Sequence, residues 1–262
     1  MTYPDNLPES AKNLNLIAKA AGYKPVSYEY MQIRPGATVL DMGCGGGDDL
    51  PFLSQAVGNT GKVLGVDTFC RPSQLESRNV IKSAKSNLTA NVSLFVMDGR
   101  QLGFPNNYID AARIDRVLQL IQVPFPIVAE LFRVLKPDSC LVACDPVWSG
   151  FKITGLPVDD QFIQKMLNVY TAPIPNPNIT KDYPQLLTHA GFRVTSQEVY
   201  IDTITDPHIA RNIFYPDQWL NKLVAEEKLS VEETNLWKSA FHAPRENFLC
   251  QIPMMIATSI KP

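Results

Sequence analysis

The chain has 262 residues, of which 45% are hydrophobic, enough for one sizeable core and one elaborated domain. Lys+Arg 24 against Asp+Glu 26 gives a formal charge of -2. There is thus no basic excess to meet a phosphate backbone and no polybasic run to hold a membrane surface, so nucleic acid is not expected as a partner.

No stretch approaches the ~20 apolar residues of a membrane span, and the opening MTYPDNLPES has neither the basic start nor the apolar run of a signal peptide. Five cysteines, Cys44, Cys70, Cys140, Cys144 and Cys250, form an odd set without a CxxC pair. Reduced thiols in a cytoplasmic protein are expected, with neither a disulfide framework nor a metal site.

Residues 1–34 are read as an N-terminal helical segment. From Arg34-Pro35-Gly36 onward, apolar runs rich in β-branched residues recur at Thr38–Met42, Val63–Asp67, Val92–Met97, Ile109–Ile114 and Cys140–Asp145. Helical spacing falls between them at Pro72–Leu88 and Phe125–Leu135, and Lys136-Pro137-Asp138 separates the latter helix from the fifth strand. Strands alternating with such helices imply βαβ units and a parallel sheet covered on both faces.

Past Asp145 the pattern changes, with proline at 146, 157, 173, 175 and 177. Residues 35–146 are therefore the binding core and 147–182 an insertion with one helix near Asp159–Tyr170. Core structure resumes over 183–204, as a helix near Tyr183–Ala190, a C-capping Gly191 and a strand Phe192–Thr203. A second helical insertion, 205–250, and a last strand within 251–262 complete the chain. Both insertions are expected to roof a ligand crevice at the strand ends.

The chemistry is concentrated in Val39-Leu40-Asp41-Met42-Gly43-Cys44-Gly45-Gly46-Gly47-Asp48, a strand ending in an acid and a glycine-rich turn into a helix. Glycines at 43, 45 and 47 let backbone approach a ligand and adopt positive φ. A dinucleotide fingerprint counted from Gly43 needs glycine at 48, where Asp48 stands, and no Lys-Ser/Thr follows as a P-loop requires. Two acidic groups near the loop, Asp41 and either Asp48 or Asp49, repel a pyrophosphate and suit a ligand carrying an ammonium and a sulfonium. Asp67 closes the second strand, where an acid can take the hydroxyls of a ribose, and Asp98 with Gly99 closes the third, suited to an adenine.

With VLDMGCGGG (39–47), GVD (65–67), MDG (97–99), RIDRVLQ (113–119), ELFRVLKPDSCLV (130–142) and AGF (190–192), the chain resembles class I S-adenosylmethionine-dependent methyltransferases. The likeness is to the small-molecule branch that includes quinone-biosynthesis enzymes, and it is strong over Pro35–Asp145 and thin beyond. It implies a doubly wound, seven-stranded, mostly parallel Rossmann-like sheet, with helical insertions after strand 5 and between strands 6 and 7. It also implies S-adenosylmethionine as cofactor and a small, fairly apolar methyl acceptor.

Carried over by position, Asp41 with Gly43, Cys44 and Gly45 holds the methionine part. Asp67 with Thr68 holds the ribose, Asp98 and Gly99 the adenine, and Ile114 and Asp115 lie at the methionine end. Phe69 and Leu75 both remain open as the residue stacking on adenine.

Gln119, one turn beyond Arg116, faces either the substrate or solvent, and Arg116 is read as solvated or ion-paired. Trp148 is a further substrate candidate, although it, Phe214, Trp219, Trp237 and Phe241 are more naturally core. No general base is assigned; His208 and His242, in the second insertion, are candidates, and His189 is read as surface. Because alignment with a sulfonium can suffice, the lack of a clear base does not argue against transfer. The alternatives are a cofactor-binding protein that does not transfer the methyl group and, less compatible with Asp48, a nicotinamide-dependent oxidoreductase. The sequence says nothing of oligomeric state.

Overall fold

The computed structural model describes residues 22–68, 91–244 and 246–262. The expected helix at Pro72–Leu88, Phe69, Cys70, Leu75 and most of the expected N-terminal segment lie outside them. The chain divides into two compact units. The first gathers Lys24–Pro146, Asn176–Tyr200 and Met254–Pro262, and the second Val147–Pro175 and Ile201–Pro253.

In the first unit the strands are β1 (Thr38–Met42), β2 (Lys62–Asp67), β3 (Asn91–Val96), β4 (Ile109–Asp115), β5 (Leu135–Pro146), β7 (Arg193–Ile204, to Tyr200) and β8 (Leu249–Ile260, from Met254). They run in the order β3-β2-β1-β4-β5-β8, with β7 also on β8. The pairs from β3 to β5 are parallel, and β5–β8 is antiparallel. The chain steps outward from β1 through β2 to β3, then crosses to β4 on the other side of β1. The carboxyl ends of β1 and β4 are therefore the topological switch point, where open α/β sheets take ligands. The doubly wound, mostly parallel sheet is the expected one.

Helices α1 (Tyr23–Tyr30), α2 (Leu50–Val57), α3 (Phe125–Val134) and α5 (Ile179–His189) accompany this sheet. Helix α3 shows why: Ile127, Val128, Leu131 and Val134 form one apolar stripe and are all buried, in one cluster with Leu40, Ala112, Ile114 and Leu141 of the strands. Helix α5 adds Ile179, Tyr183 and Leu187 to that cluster.

Two expectations at element ends need correction. Helix α5 begins at Ile179, a turn ahead of the expected Tyr183, and carries Pro184 within it. Strand β5 begins at Leu135, directly after α3, so Lys136-Pro137-Asp138 lies inside the strand. The register explains how: Ile109 pairs with Leu135 but Ala111 with Cys140, so the intervening residues bulge out, and Asp138 takes φ 61. A bulge is where a strand tolerates a proline.

The second unit holds α4 (Asp160–Thr171), α6 (Pro207–Phe214), α7 (Asp217–Ala225) and α8 (Val231–His242). It also holds a short β6 (Lys152–Thr154), antiparallel to Leu249–Gln251, which is an eighth strand where seven were expected. Trp148, Phe151, Tyr170, Phe214, Tyr215, Trp219, Trp237 and Phe241 are all buried in it. Their rings meet in a chain of contacts, among them Phe151–Phe214 at 4.6 Å and Tyr215–Trp237 at 4.8 Å. Among the described residues no helix is long and apolar enough to cross a membrane.

Gly191 ends α5 as expected. Its N–H donates to the Thr188 carbonyl and that of Phe192 to Leu187, the paired bonds of a Schellman close, at φ 103. An added Cβ would stand 2.8 Å from the Phe132 ring. Gly191→Ala is therefore expected to cost about 1–3 kcal/mol, read as a lower urea midpoint at unchanged slope; an unchanged midpoint would contradict the packing.

Candidate active site

The glycine turn is built against its neighbours. Gly43 sits at φ 78, and a Cβ there would fall 2.1 Å from Val117 Cγ2, so no larger residue fits. The Gly43 and Cys44 N–H groups both donate to the Val66 carbonyl, at 2.7 and 3.1 Å, strapping the turn to the end of β2. Gly45, at φ 53, has no atom of the described residues within 4 Å of where its Cβ would be, so among them that side of the turn is open. Its N–H donates to Asp67 Oδ2 at 2.9 Å. The acid of β2 is thereby fixed at the open side of the turn of β1.

On the other side lies a buried charge cluster that the sequence reading did not foresee. Arg113, in the middle of β4, is fully buried. Its Nη1 donates to Asp49 Oδ2 at 2.7 Å and its Nη2 to Asp115 Oδ2 at 2.8 Å. Lys24 Nζ, from α1, lies 2.6 and 2.8 Å from the two Asp49 oxygens, and Tyr28 Oη donates to Asp49 Oδ1 at 2.6 Å. The signal was present: a parallel strand buried on both faces has no solvent side, so an arginine in mid-strand must find carboxylates.

Asp41 stands apart from this satisfaction. It is buried, and among the described residues its Oδ2 has no hydrogen-bond partner and its nearest cation, Arg113 Nη1, is 3.8 Å from Oδ1. Burial, reinforced by the Asp49 charge and opposed by Arg113 and Lys24, pushes its carboxyl up to about 7. Asp49 shows the opposite outcome: burial alone would raise it, but Arg113, Lys24 and the hydrogen bonds of Lys24 and Tyr28 hold it well below the usual carboxylate range.

Cys44 is buried, its sulfur 3.0 Å from where a Cβ on Gly65 would stand. Thr68 is exposed just past β2. Asp98 is exposed, accepts from the Arg100 backbone N–H at 2.9 Å and is paired with that guanidinium. Gly99 is where Met42 Cε approaches, 2.0 Å from an added Cβ. The Ile114 side chain belongs to the core cluster, and Asp115 is committed to Arg113 with Arg116 at 3.4 Å.

Gln119 is fully buried in a single 3₁₀ turn, and its carbonyl accepts from Asn176 N–H at 2.9 Å, which overturns the surface alternative. Arg116 is buried and ion-paired rather than solvated, at φ 57. Trp148 is packed among Phe151 and Tyr170 in the second unit. His208 and His242, with rings 5.8 Å apart, are exposed on α6 and α8 of that same unit, and His189 is exposed against Phe125.

A second acid was also missed. Asp145, at the end of β5, is fully buried, accepts the Tyr183 hydroxyl of α5 at 2.6 Å and lies against the Gln119 backbone N–H, while among the described residues its Oδ1 has no partner at hydrogen-bond geometry. Burial pushes it up to about 8, against the Tyr183 hydrogen bond.

An open parallel sheet with a glycine turn and acids at its switch point defines a Rossmann-like, nucleoside-binding type of α/β protein. A family model described as a methyltransferase domain matches residues 33–200, and the chain belongs to that family. It is 30% identical over 135 residues to a demethylmenaquinone methyltransferase of Bacillus licheniformis, covering 50% of this chain and 55% of that one. The chain thus spans about half the length of the curated relatives it matches first.

Among solved structures it resembles the YcgJ protein from Bacillus subtilis (TM-score 0.60, 16% identity, 90% of this chain and 97% of that one). It also resembles a SAM-dependent methyltransferase from Aquifex aeolicus (TM-score 0.52, 18% identity, 94% and 97%). At such identities these likenesses establish the fold.

Asp41 and Asp145 both sit above the unfolded carboxylate value of ~3.9. Between pH ~4 and the folded values near 7 and 8, the folded chain holds protons that the unfolded chain has released, so these groups make stability fall as pH rises. Asp145→Asn, which still accepts from Tyr183, is expected to flatten that fall. At pH 9 it should melt above the wild type, by ~2–4 °C for each kcal/mol recovered; equal melting at pH 6 and at pH 9 would refute the assignment.

Proposed function

We propose that the chain binds S-adenosylmethionine at the carboxyl ends of β1, β2 and β4 and transfers its methyl group to a small, fairly apolar molecule. The observation that carries this reading is the turn itself. Open at Gly45, it has Asp67 bonded to the Gly45 N–H on one side and, on the other, a buried Asp41 oxygen without a donor. A pyrophosphate would meet the carboxylate of Asp41 as repulsion, Asp49 and Asp115 being neutralised by Arg113 and its neighbours, whereas an ammonium supplies the donor that Asp41 lacks.

In this reading Asp41 and the Gly43–Cys44–Gly45 backbone hold the methionine part. Asp67, with Thr68 beside it, takes the ribose hydroxyls, and Ile114 and Asp115 shape the methionine end, Asp115 through Arg113 rather than by its own free oxygens. Asp98 reaches an adenine amino group by loosening its pair with Arg100, an exposed ion pair of the kind worth about 0–1 kcal/mol. Gly99 keeps the wall thin.

When bound, the cofactor supplies a methyl group already activated by its sulfonium. What is left to the chain is to align an acceptor and keep water out, and alignment alone can contribute on the order of 7–11 kcal/mol. No dedicated base is required, in keeping with the exposed positions of His208 and His242. An apolar acceptor is favoured by the likeness to an enzyme named for demethylmenaquinone.

Calorimetry with S-adenosylhomocysteine is expected to give micromolar binding, and Asp67→Ala to weaken it at least tenfold. No heat at millimolar ligand would end the reading, and wild-type affinity in the variant would remove Asp67 from the ribose. Release of S-adenosylhomocysteine from S-adenosylmethionine in the presence of quinols and phenols tests transfer. Binding without release for any acceptor would point to a protein that only holds the cofactor.

A further inference from the structure

Arg113 has three carboxylates within reach and binds two of them. Nη1 is 2.7 Å from Asp49 and Nη2 2.8 Å from Asp115, while Asp41 Oδ1 is left at 3.8 Å, beyond a hydrogen bond. Asp49 stands at the N-cap of α2, where an aspartate ordinarily accepts from its own helix. It makes no such bond; its oxygens are turned instead to Lys24, Tyr28 and Arg113. A capping bond has thus been given up for a grip on the guanidinium, and Asp41, the acid left over, has its Oδ1 beyond hydrogen-bond reach of Arg113 and its buried Oδ2 without a donor among the described residues. A buried oxygen without a donor is unfavourable, and that cost is recovered when a ligand supplies the donor.

We infer that Asp49 is a positioning residue: by holding Arg113 on its own carboxylate, it keeps one oxygen of Asp41 available to a cationic group of the ligand. The inference rests on the cofactor reading above, in which that group is the ammonium of S-adenosylmethionine. Among the described residues, Arg113 and Asp115 from β4, Asp49 ahead of α2, and Lys24 and Tyr28 from α1 face Asp41. Asp49 and Asp115 oppose its ionisation, and Arg113 and Lys24 favour it.

Two variants then act with opposite sign. Asp49→Asn removes an opposing anion and releases Arg113 toward Asp41, so Asp41 ionises at lower pH and carries a protein cation. Lys24→Met removes a favouring cation and leaves Arg113 on Asp49, so Asp41 ionises at higher pH with its oxygen still available.

The test is the dissociation constant of S-adenosylhomocysteine, which carries the same ammonium, measured by calorimetry from pH 5.5 to 9 on folded wild type and both variants. The wild type should bind more tightly as pH rises through about 7. Asp49→Asn should move that rise to lower pH by about one unit and weaken the high-pH affinity about tenfold. Lys24→Met should move the rise to higher pH and reach the wild-type affinity at its plateau.

Shifts in the same direction, or none, would reduce Asp49 to a structural residue and overturn the inference while wild-type binding stands. Absence of wild-type binding would instead strike the cofactor reading. Should Asp49→Asn not fold, Asp49→Ser, which keeps a capping hydroxyl but no grip on Arg113, is measured in its place, the same shift to lower pH with weakened high-pH affinity supporting the inference and any other result overturning it.

Discussion

The structure depends on how a buried guanidinium is neutralised. Arg113 lies in a strand with neighbours on both sides and no water to solvate it, so its charge must be met by carboxylates arriving from elsewhere in the chain. Asp115 comes from its own strand, and Asp49 from the far end of the glycine turn. Once those two are taken, the positions of the turn, of the start of α2 and of α1 are constrained together, because Lys24 and Tyr28 of α1 close on the same Asp49. Burial works against Arg113, yet the three surrounding acids hold its proton more firmly than usual.

This cluster also explains what could be read from the chain and what could not. Strands β1, β2 and β4 were legible because each is a short apolar run next to a turn, and the turn was legible because its glycines and acids are neighbours in sequence. The partners of Arg113 are not neighbours: Asp49 is 64 positions away, and Lys24 reaches Asp49 across 25. Nothing local in Lys24 or Tyr28 distinguishes them from surface residues of an amphipathic helix. Gln119 and Asp145 escaped for the same reason, since their burial depends on Asn176 and Tyr183, brought in with α5. The start of β5 was misplaced because a proline reads as a stop unless the bulge that accommodates it is known.

Two acids at strand ends, Asp41 on β1 and Asp145 on β5, share one condition, a buried carboxyl with an oxygen that has no hydrogen-bond partner among the described residues. Their surroundings divide their roles. Asp145 is anchored by the Tyr183 hydroxyl, so its remaining oxygen adds mainly to the pH dependence of folding. Asp41 has no such anchor and sits beside the glycine turn, where the chain has kept backbone bare and one side open. The functional reading therefore attaches to Asp41, and Asp145 belongs to the architecture that joins α5 to the sheet.

The position of Asp41 near neutrality has a consequence for the proposed cofactor. A carboxyl that ionises around pH 7 holds a proton in part of the population, and an ammonium can pair with it only after that proton has left. Each pH unit below that value then subtracts about 1.36 kcal/mol from the pairing, so binding and proton release are a single equilibrium. Had Arg113 been allowed to reach Asp41, the acid would be ionised at every physiological pH but already neutralised, with nothing left for a ligand to gain. A half-ionised, unpartnered acid is the arrangement in which the free energy of neutralising a buried charge goes to the ligand rather than to the fold.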